Sequence, residues 1–189
     1  MADDVMQANR DEVSTERKLE DLYDLIDGIQ VAMMTTRRPD GRLVSRAMQT
    51  QERRAGADLW FVTDVSADKL DELALDPNVN LAYYKDRTRE WVSVSGRAIL
   101  TQDRDLIRGL YKPDWKAWFP DQGGERNGGP DDPRIALIDV RAESVVYSKK
   151  DRPAVVQMFE IVKAMVTGSA PKVADQRTVT EAELRGDAR

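Results

Sequence analysis

The sequence predicts an α+β protein that is mainly β, a small antiparallel β-barrel flanked by helices. Three observations carry this. From residue 30 to residue 64 the apolar period falls from helical to near two, over three segments joined by short turns. No regular helix separates these strands, which argues against a doubly wound parallel sheet. The strands along the chain are too many for one flat two-sided sheet, so closure into a barrel is favoured.

A first helix is expected over 11–29, where Leu19, Leu22, Tyr23, Ile26 and Ile29 share one face, with Ser14 or Thr15 as cap and Gly28 as stop. QVAMMTT (30–36) reads as a strand and RRPDG (37–41) as a tight turn, with Pro, Asp and Gly in turn order. RLVSRAMQTQ (42–51) is the second strand, with Arg46, Met48 and Thr50 on one face and Ala47, Gln49 and Gln51 on the other. ERRAGAD (52–58) turns the chain into LWFVTD (59–64). Ser66 is expected to cap a short helix over 66–76 that buries Leu70, Leu73 and Ala74 and ends at Pro77.

NVNLAYY (78–84) and WVSVSGRAIL (91–100) are strands around a charged turn. Gly96, inside the second, signals a bulge or a close backbone approach. A helix follows over 103–111. The segment 112–133 holds two of the four Trp, and its second half, GGERNGGPDDP, is expected to be a flexible polar loop. RIALIDVRAESVVYS (134–148) is the last strand or strand pair, and Pro153 opens a helix to about Val166. The expected domain is 15–167, between a flexible N-terminus (1–14) and a disordered polar tail (168–189).

Composition narrows the chemistry. The 189 residues include 34 acidic and 29 basic side chains, a net charge of −5, which argues against a nucleic-acid binder. No stretch approaches the ~20 apolar residues of a membrane span, and the polar, acidic N-terminus resembles neither a signal nor a transit peptide. A cytoplasmic protein without nucleic-acid or membrane partners is expected. The chain has no Cys and no His. Disulfides, thiol nucleophiles, Ser–His pairs and His- or Cys-ligated haem are thereby excluded, and a structural zinc site is not expected. Carboxylate or lysine chemistry, an oxygen-ligated metal, an organic cofactor or no catalysis remains. The carboxylates Asp103, Asp105, Asp131, Asp132 and Asp139 show no catalytic or metal spacing and read as caps and turns, so no metal is assigned.

One group of residues suits a phosphate. Arg46 lies mid-strand, Thr63 ends the next strand, Ser66 opens a helix and Lys69 lies in its first turn. Arg, a hydroxyl, a helix N-terminus and Lys together make a phosphate cradle. The strand aromatics Trp60, Phe61, Tyr83, Tyr84 and Trp91 read as core. Trp115 and Trp118 flank a proline-rich turn, where such rings pack over a ligand or a partner subunit.

The runs QVAMMTTRRPDGRLVSRAMQTQ, LWFVTDVSADKLDELALDPNVNLAYY and WVSVSGRAIL resemble the pyridoxamine 5′-phosphate oxidase-like flavoproteins with the FMN-binding split barrel. YKPDWKAWFPDQG and DDPRIALIDV resemble their general stress protein 26 branch. The resemblance covers roughly residues 15–165. It implies a homodimer with FMN, or another flavin such as FAD, at the subunit interface. The family's strand motif falls on Arg46, Ala47, Met48, Gln49, Thr50 and Gln51, where the Arg contacts the FMN phosphate and the strand backbone follows the ring. Its aromatic–Thr pair falls on Val62 and Thr63, and its Arg–Lys pair on Asp68 and Lys69. The oxidases' Gln falls on Trp91, and the late aromatic beside the flavin on Tyr147. The Arg–x–His element of the true oxidases is absent, so vitamin B6 oxidation is not expected. The resemblance implies a flavin-dependent oxidoreductase of unassigned substrate, with a nicotinamide as candidate electron donor. A flavin-binding, storage or stress-response protein without turnover is the alternative, and the catalytic residues stay unassigned.

Overall fold

The computed structural model describes residues 13–150 and 175–186. The expected helix after Pro153 and residues 1–12 lie outside them. In chain order the elements are α1 (Thr15–Ile29), β1 (Val31–Arg37), β2 (Leu43–Gln49), β3 (Leu59–Asp64), α2 (Lys69–Leu75), β4 (Asn78–Lys85), β5 (Glu90–Thr101), α3 (Arg104–Leu110), a 3₁₀ turn (Pro113–Ala117), β6 (Ile135–Lys149), β7 (Asp175–Thr180) and α4 (Glu181–Arg185). The sheet runs β2-β1-β4-β5-β6-β3, with β7 added on β6. Among the described residues, no helix is long and apolar enough to cross a membrane.

The chain divides into two compact units. One comprises Val31–Asn80 and Gly96–Ala142. The other comprises the residues up to Gln30, Leu81–Ser95 and those from Glu143 on.

In the first unit β1 and β2 form an antiparallel hairpin through the predicted turn, with Val31 opposite Gln49 and Arg37 opposite Leu43. Gly41 adopts φ +83° at that turn, a conformation glycine takes without a side-chain penalty. β3 pairs antiparallel with the first half of β6, Leu59 opposite Val140 and Asp64 opposite Ile135. Ile135, Leu137 and Ile138 are fully buried, as are Trp60 and Phe61, so both strands read as continuous apolar runs rather than alternating ones. Trp60, Leu137 and Ile135 pack with Ile107 of α3 and with Trp115 and Phe119 of the 3₁₀ region into one cluster. Gly96 is where the backbones approach closely, because a Cβ there would collide with the Arg141 carbonyl.

In the second unit α1 starts at Ser14, whose hydroxyl accepts from the Arg17 N–H, and buries Leu22, Leu25 and Ile26. The second half of β6 pairs antiparallel with β7, Ser144 opposite Thr180 and Lys149 opposite Asp175. This corrects the reading of a disordered tail over 175–186; the remainder of 168–189 lies outside the described residues. Residues 175–180 are a strand with buried Asp175, Arg177 and Val179, and Thr180 and Glu183 close a capping box on α4. The segment is polar, yet a strand added to an existing sheet edge draws its stability from ladder hydrogen bonds and from ion pairs that composition does not reveal. The full 134–148 run is one strand of 15 residues, long enough to serve β3 with one half and β7 with the other.

Candidate functional site

β2 and β3 are the two terminal strands of the six-strand path, and both line one cavity of the first unit. Just beyond β2, the Gln51 N–H donates to the Trp60 carbonyl at 3.1 Å and ties the two edges together at one point. The cavity measures about 260 Å³. Ala47, Met48, Gln49 and Gln51 supply one wall, and Val62, Thr63 and Asp64 a second. Ala67 and Lys69 lie at the start of α2, and Asp114, Trp115, Trp118 and Phe119 form an aromatic wall.

Among the lining residues Lys69 is the cation, and Asp64 and Asp114 are the carboxylates. Among the described residues, no carboxylate lies within ion-pair distance of its ammonium. Burial, then the nearby Arg46 guanidinium, lowers its pKa from the ordinary lysine value. Removal from water and a second cation both disfavour the protonated form, so an anion in the cavity would relieve both effects.

Arg46 does not line the cavity. Its guanidinium donates to the Thr36 hydroxyl at 2.8 Å and to Glu72 Oε1 at 2.7 Å. The Thr36 hydroxyl in turn donates to Glu72 Oε2 at 2.6 Å. Thr36 and Glu72 are buried. Hydrogen bonding from Arg46 outweighs the burial penalty and holds the Glu72 carboxyl below the usual carboxylate range. The three side chains form a closed triangle beneath the cation end.

The aromatic wall is held from behind. The Trp115 indole N–H donates to Gln51 Oε1 at 3.2 Å, and its ring meets Trp60 and Tyr111 edge-on, at 6.2 and 5.6 Å between centroids. Trp118 is 80% exposed at the rim. The glycine-rich segment behind it is not the loose loop expected from composition. The buried Asp132 carboxylate accepts from the Gly128 N–H at 2.7 Å and from the Arg134 guanidinium at 2.6 Å. Arg134 also donates to the Pro120 carbonyl and lies over the Phe119 ring. Gly128 has φ +70°, and a Cβ there would collide with the Phe119 carbonyl.

Of the thirteen expected cofactor residues, the cavity brings together Ala47, Met48, Gln49, Gln51, Val62, Thr63, Lys69 and Trp118. Arg46 sits in the triangle beneath it. Thr50 and Ser66 do not line it. Ser66 is not the expected helix cap either. α2 begins at Lys69, and the Ser66 hydroxyl and N–H both donate to Asp64 Oδ1, at 2.7 and 2.8 Å, in a turn that uses up the hydroxyl. Trp91, half-buried, and Tyr147, fully buried with its hydroxyl donating to the Lys18 carbonyl at 3.0 Å, belong to the other unit. Sequence reasoning missed Asp64, Ala67, Asp114 and Phe119 in the wall, and Thr36 and Glu72 under Arg46. A glutamate in a short charged helix normally faces water, and no spacing distinguishes this one. Among the described residues, no group of three or more acidic side chains could hold a metal ion.

Comparison with known proteins identifies the class. Residues 17–172 match the family model described as pyridoxamine 5′-phosphate oxidase like, and the chain belongs to that family. It is 36% identical over 188 residues to protein bli-3 of Neurospora crassa, covering 97% of this chain and 90% of that one. Among solved structures, a Jannaschia protein assigned as a general stress protein 26 superposes with TM-score 0.64 at 23% identity, over 87% of this chain and 99% of that one. A pyridoxamine 5′-phosphate oxidase-related, FMN binding protein of Nostoc punctiforme superposes with TM-score 0.56 at 16% identity, over 72% and 84%. These structural likenesses show the fold.

Proposed function

We propose that this chain is a flavoprotein that holds FMN in the cavity between β2, β3 and the 3₁₀ turn and works as a flavin-dependent oxidoreductase. The observation that carries the reading is a half-buried ammonium, Lys69, with no carboxylate at ion-pair distance among the described residues, in a cavity walled by Trp115, Trp118 and Phe119 and by the edge strand β2. A phosphate suits the cation end. An edge strand keeps backbone N–H and C=O groups outside the ladder, which suits the heteroatoms of a planar ring. The FMN-binding name of the Nostoc punctiforme relative supports the same cofactor.

When bound, a flavin supplies hydride and electron transfer, which the side chains cannot. The chain's own part is to anchor the phosphate through Lys69 and Arg46, cover the ring with the aromatic wall and keep water out. With no Cys or His anywhere, the cavity's own proton-carrying groups are Lys69, Asp64 and Asp114.

The reading includes a homodimer. Val31 and Met33 of β1 and Leu43 of β2 are exposed apolar side chains on neighbouring strands. The cavity of about 260 Å³ falls just short of the ~300–1,000 Å³ of sites that bury a whole ligand, so a second chain would complete it.

The test is the absorption spectrum of the purified protein, followed by FMN titration with flavin fluorescence as readout. Saturable quenching at one FMN per chain is expected. A colourless protein that ignores FMN overturns the reading. NADH or NADPH oxidation by the loaded protein separates an oxidoreductase from a flavin carrier without turnover.

A further inference from the structure

Arg46 lies mid-strand on β2 and acts electrostatically on Lys69, yet its guanidinium already has a carboxylate. Glu72 lies 2.7 Å from it, is buried, and is fixed from its other oxygen by Thr36 at 2.6 Å. Thr36 also accepts from Arg46, so each of the three side chains is held by the other two. Lys69, which lines the cavity, feels Arg46 as a repelling cation and Asp64, then Glu72 and Asp68, as attracting anions; of these carboxylates Glu72 is the one paired with Arg46. The carboxylate is therefore close enough to act on any anion that Lys69 and Arg46 share.

We propose that Glu72 is a built-in counter-ion that offsets Arg46 and sets how tightly this chain grips the phosphate end of its ligand. This inference rests on the flavin reading above and adds a specificity-determining residue to it. A phosphate arriving at Lys69 meets an Arg46–Glu72 pair with little net charge rather than a lone guanidinium. The grip therefore comes mainly from Lys69, and the pair contributes geometry more than charge. The site consequently distinguishes a phosphorylated flavin from its unphosphorylated form less sharply than two uncompensated cations would.

Glu72→Gln tests this. The introduced amide keeps a side-chain oxygen for Arg46 and offers an N–H to the Thr36 hydroxyl, so the triangle keeps its shape while the negative charge goes. The readout is the ratio of FMN affinity to riboflavin affinity for each variant, because riboflavin carries the same ring without the phosphate. Glu72→Gln is expected to raise the ratio at least fivefold over wild type, through tighter FMN binding at unchanged riboflavin binding. Arg46→Gln/Glu72→Gln, which removes both charges and leaves no stranded carboxylate, is expected to return the ratio to within threefold of wild type. The double variant also provides the answer if the single one fails to fold.

An unchanged or lower ratio in Glu72→Gln overturns the inference, since a purely structural Glu72 would move both ligands together. A fall of more than threefold in the double variant also overturns it, because Arg46 would then be gripping phosphate despite its neighbour. A wild-type chain that binds neither FMN nor riboflavin overturns the flavin reading itself, and this inference with it.

Discussion

Arg177 of β7 and Asp21 of α1 form an ion pair in which both side chains are buried. The polar C-terminal strand is therefore joined to the first helix through the interior of their shared unit. Asp21 is also reached by Lys149 of β6, and by Arg17 one helical turn away at 3.2 Å. Breaking one arm of a buried pair costs about 3–5 kcal/mol, and the two remaining cations place the cost near the lower limit. Arg177→Met is expected to reduce stability by about 3 kcal/mol, seen in thermal unfolding as a Tm lower by about 6–12 °C. A chain ending at residue 174 is expected to lose more, because the β6–β7 ladder goes too. An unchanged Tm in both would mean that the strand adds nothing to the fold.

The same residues mark what could be read from sequence and what could not. β3 spans Leu59–Asp64, as its apolar run with flanking turn residues predicts, and the β1–β2 hairpin follows from PDG between alternating strands. Those signals are local, and turn chemistry and side-chain period are local physics. β7 carries no such signal. DQRTVT alternates polar with polar, and it is a strand because Asp175, Arg177 and Val179 find buried places in a sheet formed by distant residues. In the cavity, Ala47, Met48, Gln49, Gln51 and Val62 were legible from the family's strand motifs; period two alone does not select them, because the lining takes residues from both faces of β2. Ser66 was misplaced because a hydroxyl before a helix has two uses, capping and an Asp-anchored turn, and Asp64 decides between them. Glu72 was invisible because its burial depends on Arg46 and Thr36, at separations of 26 and 36 residues.

Acid should loosen the C-terminal part first. The Glu183 carboxyl is pulled down to about 2, first by the Lys18 ammonium 2.7 Å away and then by the Thr180 N–H. Its folded value lies below its unfolded value of 4.5. The stabilisation is thus complete above pH 4.5 and is lost as pH falls toward about 2. Glu183→Gln is expected to flatten the stability-versus-pH curve across that interval while leaving it parallel to wild type above about pH 6. Urea unfolding at a series of pH values measures this, and identical acid limbs would remove Glu183 from the account.

The glycine-rich segment should behave as structure. Gly128→Ala introduces a Cβ at φ +70° against the Phe119 carbonyl, and Asp132→Asn removes the charge that binds Arg134 and the Gly128 N–H. Each is expected to cost about 2 kcal/mol or more, through backbone strain in one case and a weakened buried pair in the other. Proteolysis under native conditions should then cut within 121–130 faster than in wild type. Equal cutting rates would show that the segment is loose already.

Trp118 separates ligand binding from folding. Its ring is 80% exposed, so Trp118→Ala should shift stability by no more than about 0.5 kcal/mol. If the ring covers a bound flavin, the same change should weaken FMN and riboflavin equally, by about fivefold, since aromatic contacts are worth roughly 1 kcal/mol. Lys69→Met is expected to do the opposite, weakening FMN by about tenfold or more and leaving riboflavin unchanged, because a charge-assisted hydrogen bond to phosphate contributes ~1.5–3 kcal/mol. Burial and Arg46 lower the Lys69 pKa from 10.5, so wild-type FMN affinity should decline with rising pH before the ordinary lysine range is reached. Riboflavin affinity should stay level across that interval, and the Lys69→Met variant should lose the decline. Fluorescence titrations of two ligands against three proteins measure all of this. A Lys69→Met variant that weakens both ligands alike would move the phosphate away from the α2 end of the cavity.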